Sequence, residues 1–118
     1  MENEIFKTCP SCGMAWADWS LFLADPATTL IGYQAFWGDL LEGLFLFNHR
    51  CGTTMSISVG DLRHLYSGPV GQRRLAGTDA CVGMCLHTMD IRPCPTDCEC
   101  AYIREIMQIV RKWPKKRR

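Results

Sequence analysis

The sequence lacks the features that mark export, membrane insertion or a strongly charged ligand. Its first eight residues contain two acidic side chains and no apolar stretch, so they do not form a signal peptide. No apolar run approaches the roughly 18 residues that a membrane helix needs. The formal net charge is +1, which is too small for a global field that attracts nucleic acid or a membrane. These absences predict a cytoplasmic protein with no membrane partner.

Recognisable catalytic patterns are missing as well. The sequence contains no glycine-rich phosphate loop and no nucleophile elbow. Asp61, Arg63 and His64 lie close together, but no nucleophile or paired carboxylate accompanies them, and a solvated helix face accounts for them. The sequence therefore favours a protein that is not an enzyme.

Cysteine, by contrast, is abundant, with eight in 118 residues. Disulfides rarely persist in the reducing cytosol, where clustered cysteines are more often metal ligands. A chain of this length buries a modest share of its surface and benefits from such a staple. We expect a single metal-stapled domain over residues 1–118 that holds one or two zinc ions, with disulfides or unligated thiols as the alternatives.

The first cysteine cluster is the segment Cys9–Gly13, which reads CPSCG. Two intervening residues let both sulfurs face one ion, and the glycine permits a tight return of the chain. Zinc in a structural site takes four nitrogen or sulfur ligands, and His49 and Cys51 would supply the other two. His49 could instead face outward at the end of a strand. A thioredoxin-like redox pair at Cys9 and Cys12 is the other alternative, but that motif should follow a strand and open a helix.

Over residues 9–59 the chain resembles zinc-ribbon and treble-clef proteins, in which a CPxCG knuckle leads through a hairpin to a second ligand pair. The family usually supplies Cys-x-x-Cys in the second pair, whereas this chain has His49-x-Cys51. The resemblance implies a structural zinc ion, a zinc-ribbon-like fold and no particular activity.

A second cluster places five cysteines, together with His87, in the segment 81–100. These cysteines are Cys81, Cys85, Cys94, Cys98 and Cys100. The last two fall in the first turn of a predicted helix, whose N-terminus favours thiolates, and we interpret all five as metal ligands. Such thiolates suit zinc or an iron–sulfur cluster. If His49 binds the first ion, these five remain for a second site; if it does not, Cys81 completes the first site and the other four form the second.

The patterning along the chain predicts an α+β fold. An apolar stripe at helical spacing predicts a helix over 14–24. Strand-forming residues predict a hairpin of 30–37 and 44–47, followed by a third strand at 54–59. The segment 61–66 suits one or two helical turns. We therefore expect a three-stranded, zinc-ribbon-like sheet in the first half of the chain.

The second half is expected to end in a long amphipathic helix. A capping box at Thr96 and Glu99 precedes an apolar stripe at helical spacing, which predicts a helix over 97–113. The glycine-rich segment 67–78 is interpreted as a linker between a β-rich lobe, 1–66, and a cysteine-rich lobe, 79–118.

These features favour a zinc-stapled interaction module with a protein partner and no catalysis of its own. One alternative is an iron–sulfur electron-transfer protein that uses the second cluster. Another is a nucleic-acid-binding zinc protein, because the basic tail 115–118 could contact phosphates. The third alternative is a thiol oxidoreductase at Cys9 and Cys12.

Overall fold

Short strands and short helices alternate along the chain. The structure, a computed structural model, describes residues 5–36, 39–68, 89, 91–93 and 101–116. In order, the elements are β1 Lys7–Thr8, β2 Ala15–Trp16, α1 Trp19–Ala24, β3 Thr28–Gln34, β4 Leu44–His49, β5 Thr54–Ser58, α2 Val59–Leu62 and α3 Ala101–Arg111. Short 3₁₀ turns occupy Leu40–Glu42 and Arg63–Leu65. The described part of the chain is thus mixed α+β, with two small antiparallel sheets.

The first sheet is the hairpin of β1 and β2, with Lys7 opposite Trp16. The helix predicted over 14–24 is wrong in its first part, since β2 occupies 15–16 and α1 begins only at Trp19. Asp18 fixes that start because its Oδ1 accepts the Leu21 amide at 2.9 Å and caps the helix. The apolar stripe therefore spans two elements.

The second sheet has the order β3-β4-β5 and is antiparallel throughout. The expected three-stranded sheet is confirmed, although β3 lies two to three residues earlier than the predicted 30–37 and β4 continues past 47 to His49. A register shift between Leu30 and Gly32 interrupts the pairing of β3 with β4. The predicted helical turns at 61–66 are present as α2 and the 3₁₀ turn after it.

One apolar core joins the larger sheet to α1 and α3. Phe22 of α1 stacks edge-on against Phe47 of β4, with ring centroids 4.9 Å apart. Ile103 and Ile106 of α3 are fully buried in the same cluster. Alternate residues of a strand share a face, and Phe45, Phe47 and His49 of β4 are all buried. The side chain of His49 consequently lies on the core side of the sheet.

Helix α3 has 11 residues and ends at Arg111, two residues before the predicted end of the 97–113 helix. Its apolar stripe is confirmed by burial of Tyr102, Ile103, Ile106 and Val110, while Ile109 is half-buried. The capping residues Thr96 and Glu99 lie outside the described residues, and so does the linker 67–78 beyond Gly68. The division into two lobes stays a prediction. None of the helices in the described ranges has the length and apolar character that a membrane span requires.

The chain that follows α3 is fastened to the C-terminal end of α1. The Lys115 ammonium donates to the carbonyls of Leu23 at 2.7 Å, Asp25 at 3.1 Å and Thr28 at 2.9 Å. The Lys116 amide donates to the Ala24 carbonyl at 2.6 Å. The last carbonyls of a helix lack partners within it and carry partial negative charge, so this lysine acts as a cap supplied from a distant part of the chain.

We predict that Lys115→Met lowers the free energy of unfolding, because the carbonyls at the end of α1 lose a charged donor. Hydrogen bonds to charged groups contribute more than neutral ones, but this ammonium is only partly shielded from water, so we expect about 1 kcal/mol. Urea denaturation followed by tryptophan fluorescence measures the change. Lys116→Met is the matched control, and equal effects of the two substitutions would contradict the capping role.

Candidate metal centre

Two turns of similar design lie at the tips of two hairpins. One, Cys9–Gly13, connects β1 to β2, and the other, His49–Gly52, connects β4 to β5. Each ends in a glycine with a positive φ, 79° at Gly13 and 94° at Gly52. Side chains larger than that of glycine are strained in this region of backbone space. The glycine after Cys12 and the glycine after Cys51 therefore perform the same local task.

The second turn is one residue shorter than the first. The Gly13 amide donates to the Cys9 carbonyl at 3.0 Å, spanning four residues, whereas the Gly52 amide donates to the His49 carbonyl at 2.8 Å, spanning three. A histidine side chain extends further from the backbone than a cysteine side chain. This longer reach compensates for the missing residue, so His49-x-Cys51 presents two donor atoms where the first turn uses Cys-x-x-Cys.

The four side chains converge on one point. Cys9 Sγ lies 3.6 Å from Cys51 Sγ, Cys12 Sγ lies 3.6 Å from His49 Nδ1, and His49 Nδ1 lies 3.3 Å from Cys51 Sγ. All four donor atoms lie within 4.8 Å of one another. Zinc–ligand bonds at tetrahedral angles place two sulfurs about 3.8 Å apart and a sulfur and a nitrogen about 3.6 Å apart. The separations thus suit four ligands around a single ion.

Hydrogen bonds from the turns favour the thiolate form of two of the cysteines. The hydroxyl and amide of Thr53, together with His49, lower the pKa of the Cys51 thiol to about 5. The amides of Cys12 and Ser11 lower the pKa of Cys9, against an opposing effect of burial. Metal ligands must be deprotonated, so both turns prepare a sulfur for coordination.

The other two donors respond to their neighbours. The Met14 amide lowers the pKa of Cys12, but burial and the adjacent Cys9 and Cys51 outweigh it, and the net shift is upward. Burial lowers the pKa of His49. Hydrogen bonds to Cys51 and Cys9, together with the charges of those two residues, raise it by more, so the net shift is upward. Neighbouring thiols that oppose one another's ionisation have the electrostatics expected of a site that favours a cation.

Trp16 and Asp25 support the histidine from outside the cluster. The Trp16 ring stands edge-on to the His49 ring, with centroids 5.3 Å apart. Its indole nitrogen donates to Asp25 Oδ2 at 2.8 Å, and Asp25 Oδ1 accepts the Ala27 amide at 2.7 Å. Residues that orient a ligand ring contribute to metal affinity without touching the ion. The sequence pattern did not identify these two as site residues, since nothing in their spacing links them to the cysteines.

The cluster lies at the surface with one side open. Cys9 is 1% exposed and His49 is 6% exposed, while Cys12 and Cys51 are exposed. A cavity of about 580 Å³ adjoins the open side and is bordered by Arg50 as well as by the cluster itself. Two of the four candidate ligands are therefore buried in the core and two face solvent.

The structure describes the predicted ligands of the first cluster but not those of the second. Cys9, Cys12, His49 and Cys51 are brought together, and the outward-facing alternative for His49 is wrong because this side chain is buried. The second cluster lies outside the described residues: Cys81, Cys85, His87, Cys94, Cys98 and Cys100. The four donors of the partition in which His49 completes the first site lie together, whereas Cys81, which the other partition needs, lies outside the described residues.

Arg63 and His64, in the 3₁₀ turn after α2, make contacts away from the metal centre. Arg63 donates to the Tyr66 carbonyl at 2.7 Å and stacks over the Tyr102 ring, 4.8 Å from its centroid. The His64 ring packs against Trp19. These contacts join the 3₁₀ turn to α1 and α3, while His64 is exposed and Arg63 is half-buried.

The chain therefore presents a Cys₃His cluster that could hold one metal ion. The turn carrying Cys9 and Cys12 joins two strands and opens no helix, which is unlike a thioredoxin-type redox pair. Comparison of the chain with protein-family models, with curated proteins and with solved structures found no significant match.

We predict that, once metal is removed, the rate at which iodoacetamide alkylates Cys51 rises with pH and reaches its midpoint near pH 5. The reason is that the thiolate, which is the reactive form, is the stable form above that pH. An unfolded thiol ionises at its ordinary, higher pKa. Stability from this thiolate is therefore fully present above the ordinary thiol pKa and is lost as the pH falls towards about 5. Peptide mapping of alkylation against pH gives the midpoint.

Thr53→Val, which removes the hydroxyl donor, should move the Cys51 midpoint upward, while Thr54→Val at the next position should leave it in place. The Cys12 midpoint should lie above that of an ordinary thiol because its pKa is raised. A Cys51 midpoint equal to that of an unfolded thiol would show that the turn does not stabilise the thiolate.

Proposed function

We propose that this chain is a small cytoplasmic zinc protein, stapled by one zinc ion at Cys9, Cys12, His49 and Cys51, that acts as an interaction module without catalysis of its own. The observation that carries the proposal is the convergence of four donor atoms within 4.8 Å of one another, three of whose separations, 3.3–3.6 Å, lie near the edges of a zinc tetrahedron. Three thiolates and one imidazole form a donor set typical of structural zinc.

Zinc is preferred to the other metals by the geometry and the donor atoms. Soft thiolates with one imidazole in a tetrahedral arrangement favour zinc over the harder cations, which take oxygen ligands. Four donors within 4.8 Å of one another fit a single ion, whereas the ligands of an iron–sulfur cluster are distributed over two or more irons. An iron–sulfur cluster in the segment 81–100 stays a separate prediction.

The arrangement of the site supports a structural role for the ion. Strands β1 and β2 have two residues each, and an isolated hairpin of this size is not stable in water. Bonds from Cys9 and Cys12 to an ion shared with His49 and Cys51 would fasten this hairpin to the larger sheet. Two knuckles at the tips of two hairpins also agree with the zinc-ribbon resemblance of the sequence.

The interaction role is supported by what surrounds the staple. All four proposed ligand positions are filled by the chain's own donors, so no coordination site remains open for a substrate as in catalytic zinc sites. Exposed apolar side chains, such as Met14 and Leu21 beside the first knuckle, are features of a surface that a partner protein covers.

The experiment is to measure zinc per chain in protein purified anaerobically, comparing the wild type with Cys12→Ser and Ser11→Ala. We expect Cys12→Ser to lose about one equivalent of zinc, since one ligand is gone, and Ser11→Ala in the same turn to retain it. Cys12 is exposed, so the substitution does not disturb the core. Elemental analysis gives the stoichiometry.

Thermal unfolding supplies an independent readout. Cys12→Ser, or treatment of the wild type with a chelator, should lower the unfolding temperature by roughly 10 °C or more, because structural zinc contributes directly to folding. Equal zinc content in the Cys12→Ser and Ser11→Ala variants would overturn the proposed site. Brown protein with broad visible absorption would instead indicate an iron–sulfur centre elsewhere in the chain.

A further inference from the structure

The open side of the metal centre exposes two of its three sulfurs. The cavity of about 580 Å³ is lined by Cys12 and Cys51, and both residues are exposed. Cys9, in contrast, is 1% exposed and does not line the cavity. A small molecule that enters from solvent therefore reaches the sulfur of Cys12 or of Cys51 before it reaches that of Cys9.

The two exposed sulfurs have different neighbours. Cys51 Sγ lies 3.6 Å from Cys9 Sγ, whereas Cys12 Sγ lies 3.6 Å from His49 Nδ1. A disulfide bond joins sulfurs about 2.05 Å apart, so the sulfurs of Cys9 and Cys51 need to approach by only about 1.5 Å. This pair is therefore arranged for a disulfide bond, in which Cys51 is the accessible partner and Cys9 the protected one.

Coordination of a metal keeps these sulfurs in a reactive form. Metal ligands must be deprotonated, and the thiolate is the form of cysteine that attacks an oxidant. A redox-sensing cysteine is accessible to solvent and often lies next to a second cysteine that resolves the first oxidation product. Cys51 and Cys9 meet both conditions. Disulfides in the cytosol are mostly transient, catalytic or redox-sensing, which suits a bond that forms only while an oxidant is present.

We propose that Cys51 is a site of reversible oxidation by peroxides, and that its oxidation replaces the zinc cross-link between the two turns with a disulfide bond between Cys9 and Cys51. The zinc ion, left with only Cys12 and His49 as ligands, is then released. A thiol reductant reverses the reaction and restores all four ligands.

The oxidation takes place in two steps. The Cys51 thiolate attacks one oxygen of hydrogen peroxide: a sulfur–oxygen bond forms, the oxygen–oxygen bond breaks, hydroxide leaves, and the sulfur becomes a sulfenic acid. The Cys9 thiolate then attacks the Cys51 sulfur, which forms the disulfide and expels a second hydroxide. The two cysteines together lose two electrons, and the peroxide takes them up.

The disulfide would take over the structural role of the ion. Cys9 belongs to the turn between β1 and β2, and Cys51 belongs to the turn between β4 and β5. A bond between them fastens the small hairpin to the larger sheet, and it joins residues 42 positions apart. Such a bond restricts the unfolded chain and so stabilises the folded one. The oxidised chain is therefore expected to lose its zinc ion and keep its fold.

This inference rests on the proposed function, because it concerns the fate of the proposed zinc ion, but the two can fail separately. Zinc content before oxidant is added tests the proposed function, and the position of the disulfide afterwards tests the inference. Zinc bound at first, with no bond between Cys9 and Cys51 after oxidation, would refute the inference alone. A chain without zinc at the outset would refute the proposed function.

The test is to treat the zinc-loaded full chain with limiting hydrogen peroxide, block the remaining thiols with iodoacetamide and map the disulfides by mass spectrometry after trypsin digestion without reduction. Trypsin cleaves after Lys7, Arg50 and Arg63, so Cys51 falls in the peptide 51–63 and the other two cysteines of the site fall in the peptide 8–50. We expect these peptides to be joined, with fragmentation locating the bond at Cys9 and the iodoacetamide label on Cys12.

Release of the ion is measured in the same reaction. A zinc-binding dye should report about one zinc ion per disulfide formed, and dithiothreitol should reverse both changes. A bond at Cys12 instead of Cys9 would overturn the proposal. So would sulfinic acid at Cys51 without a disulfide, or zinc that stays bound while the disulfide forms.

Two variants separate the roles of the other sulfurs. Oxidised Cys12→Ser should still form the cross-link between the peptides 8–50 and 51–63, and its unfolding temperature should rise on oxidation because the disulfide forms without metal. Cys9→Ser removes the resolving sulfur, so cross-linking should slow by about tenfold or more and Cys51 should accumulate as sulfinic acid. Because Cys9 is buried, the wild-type map and Cys12→Ser decide the question if Cys9→Ser does not fold. Failure of Cys12→Ser to form the cross-link would overturn the proposal.

Discussion

The convergence of two turns on one point is the constraint on which the first half of the structure depends. Cys9 and Cys12 come from a hairpin of two-residue strands, and His49 and Cys51 come from the edge of a hydrophobic core. The four donor atoms lie within 4.8 Å of one another. Without a cation, three thiolates this close together would repel one another through their negative charges. A metal ion bound at this point would offset that repulsion and would at the same time join the small hairpin to the larger sheet.

The surroundings of the site show how the fold positions it. His49 alternates with Phe45 and Phe47 along β4, so its ring enters from the core side and meets Trp16. Trp16 in turn is bonded to Asp25 at the end of α1, where Lys115 caps the last carbonyls of the helix. His49, the supporting residues Trp16 and Asp25, and the segment that carries Lys115 are thus parts of one connected arrangement. Because the Lys115 ammonium already donates hydrogen bonds to these carbonyls, it is not available to contact a phosphate.

Some elements could be predicted from spacing and others could not. The three-stranded sheet follows from runs of strand-forming residues, and the stripe of α3 follows from its helical period. The helix predicted from residue 14 fails because Trp16 and Trp19 satisfy helical spacing by coincidence. Trp16 belongs to a strand whose direction is set by the tight return at Gly13, and Asp18 starts the helix afterwards. Periodicity alone cannot detect that return, since it depends on backbone geometry.

The sequence by itself determined the chemistry of the candidate site: a CPSCG knuckle, a second glycine after Cys51, and a histidine two residues before that cysteine. It left open whether His49 or Cys81 completes the first ligand set. Tertiary structure brings His49 to the other three donors, because strand alternation places its ring on the core side and the shorter second turn needs its longer reach. It also decided the roles of Trp16, Asp25 and Lys115, whose contacts join residues that are distant along the chain. No local pattern encodes such contacts, since they exist only when separate elements pack together.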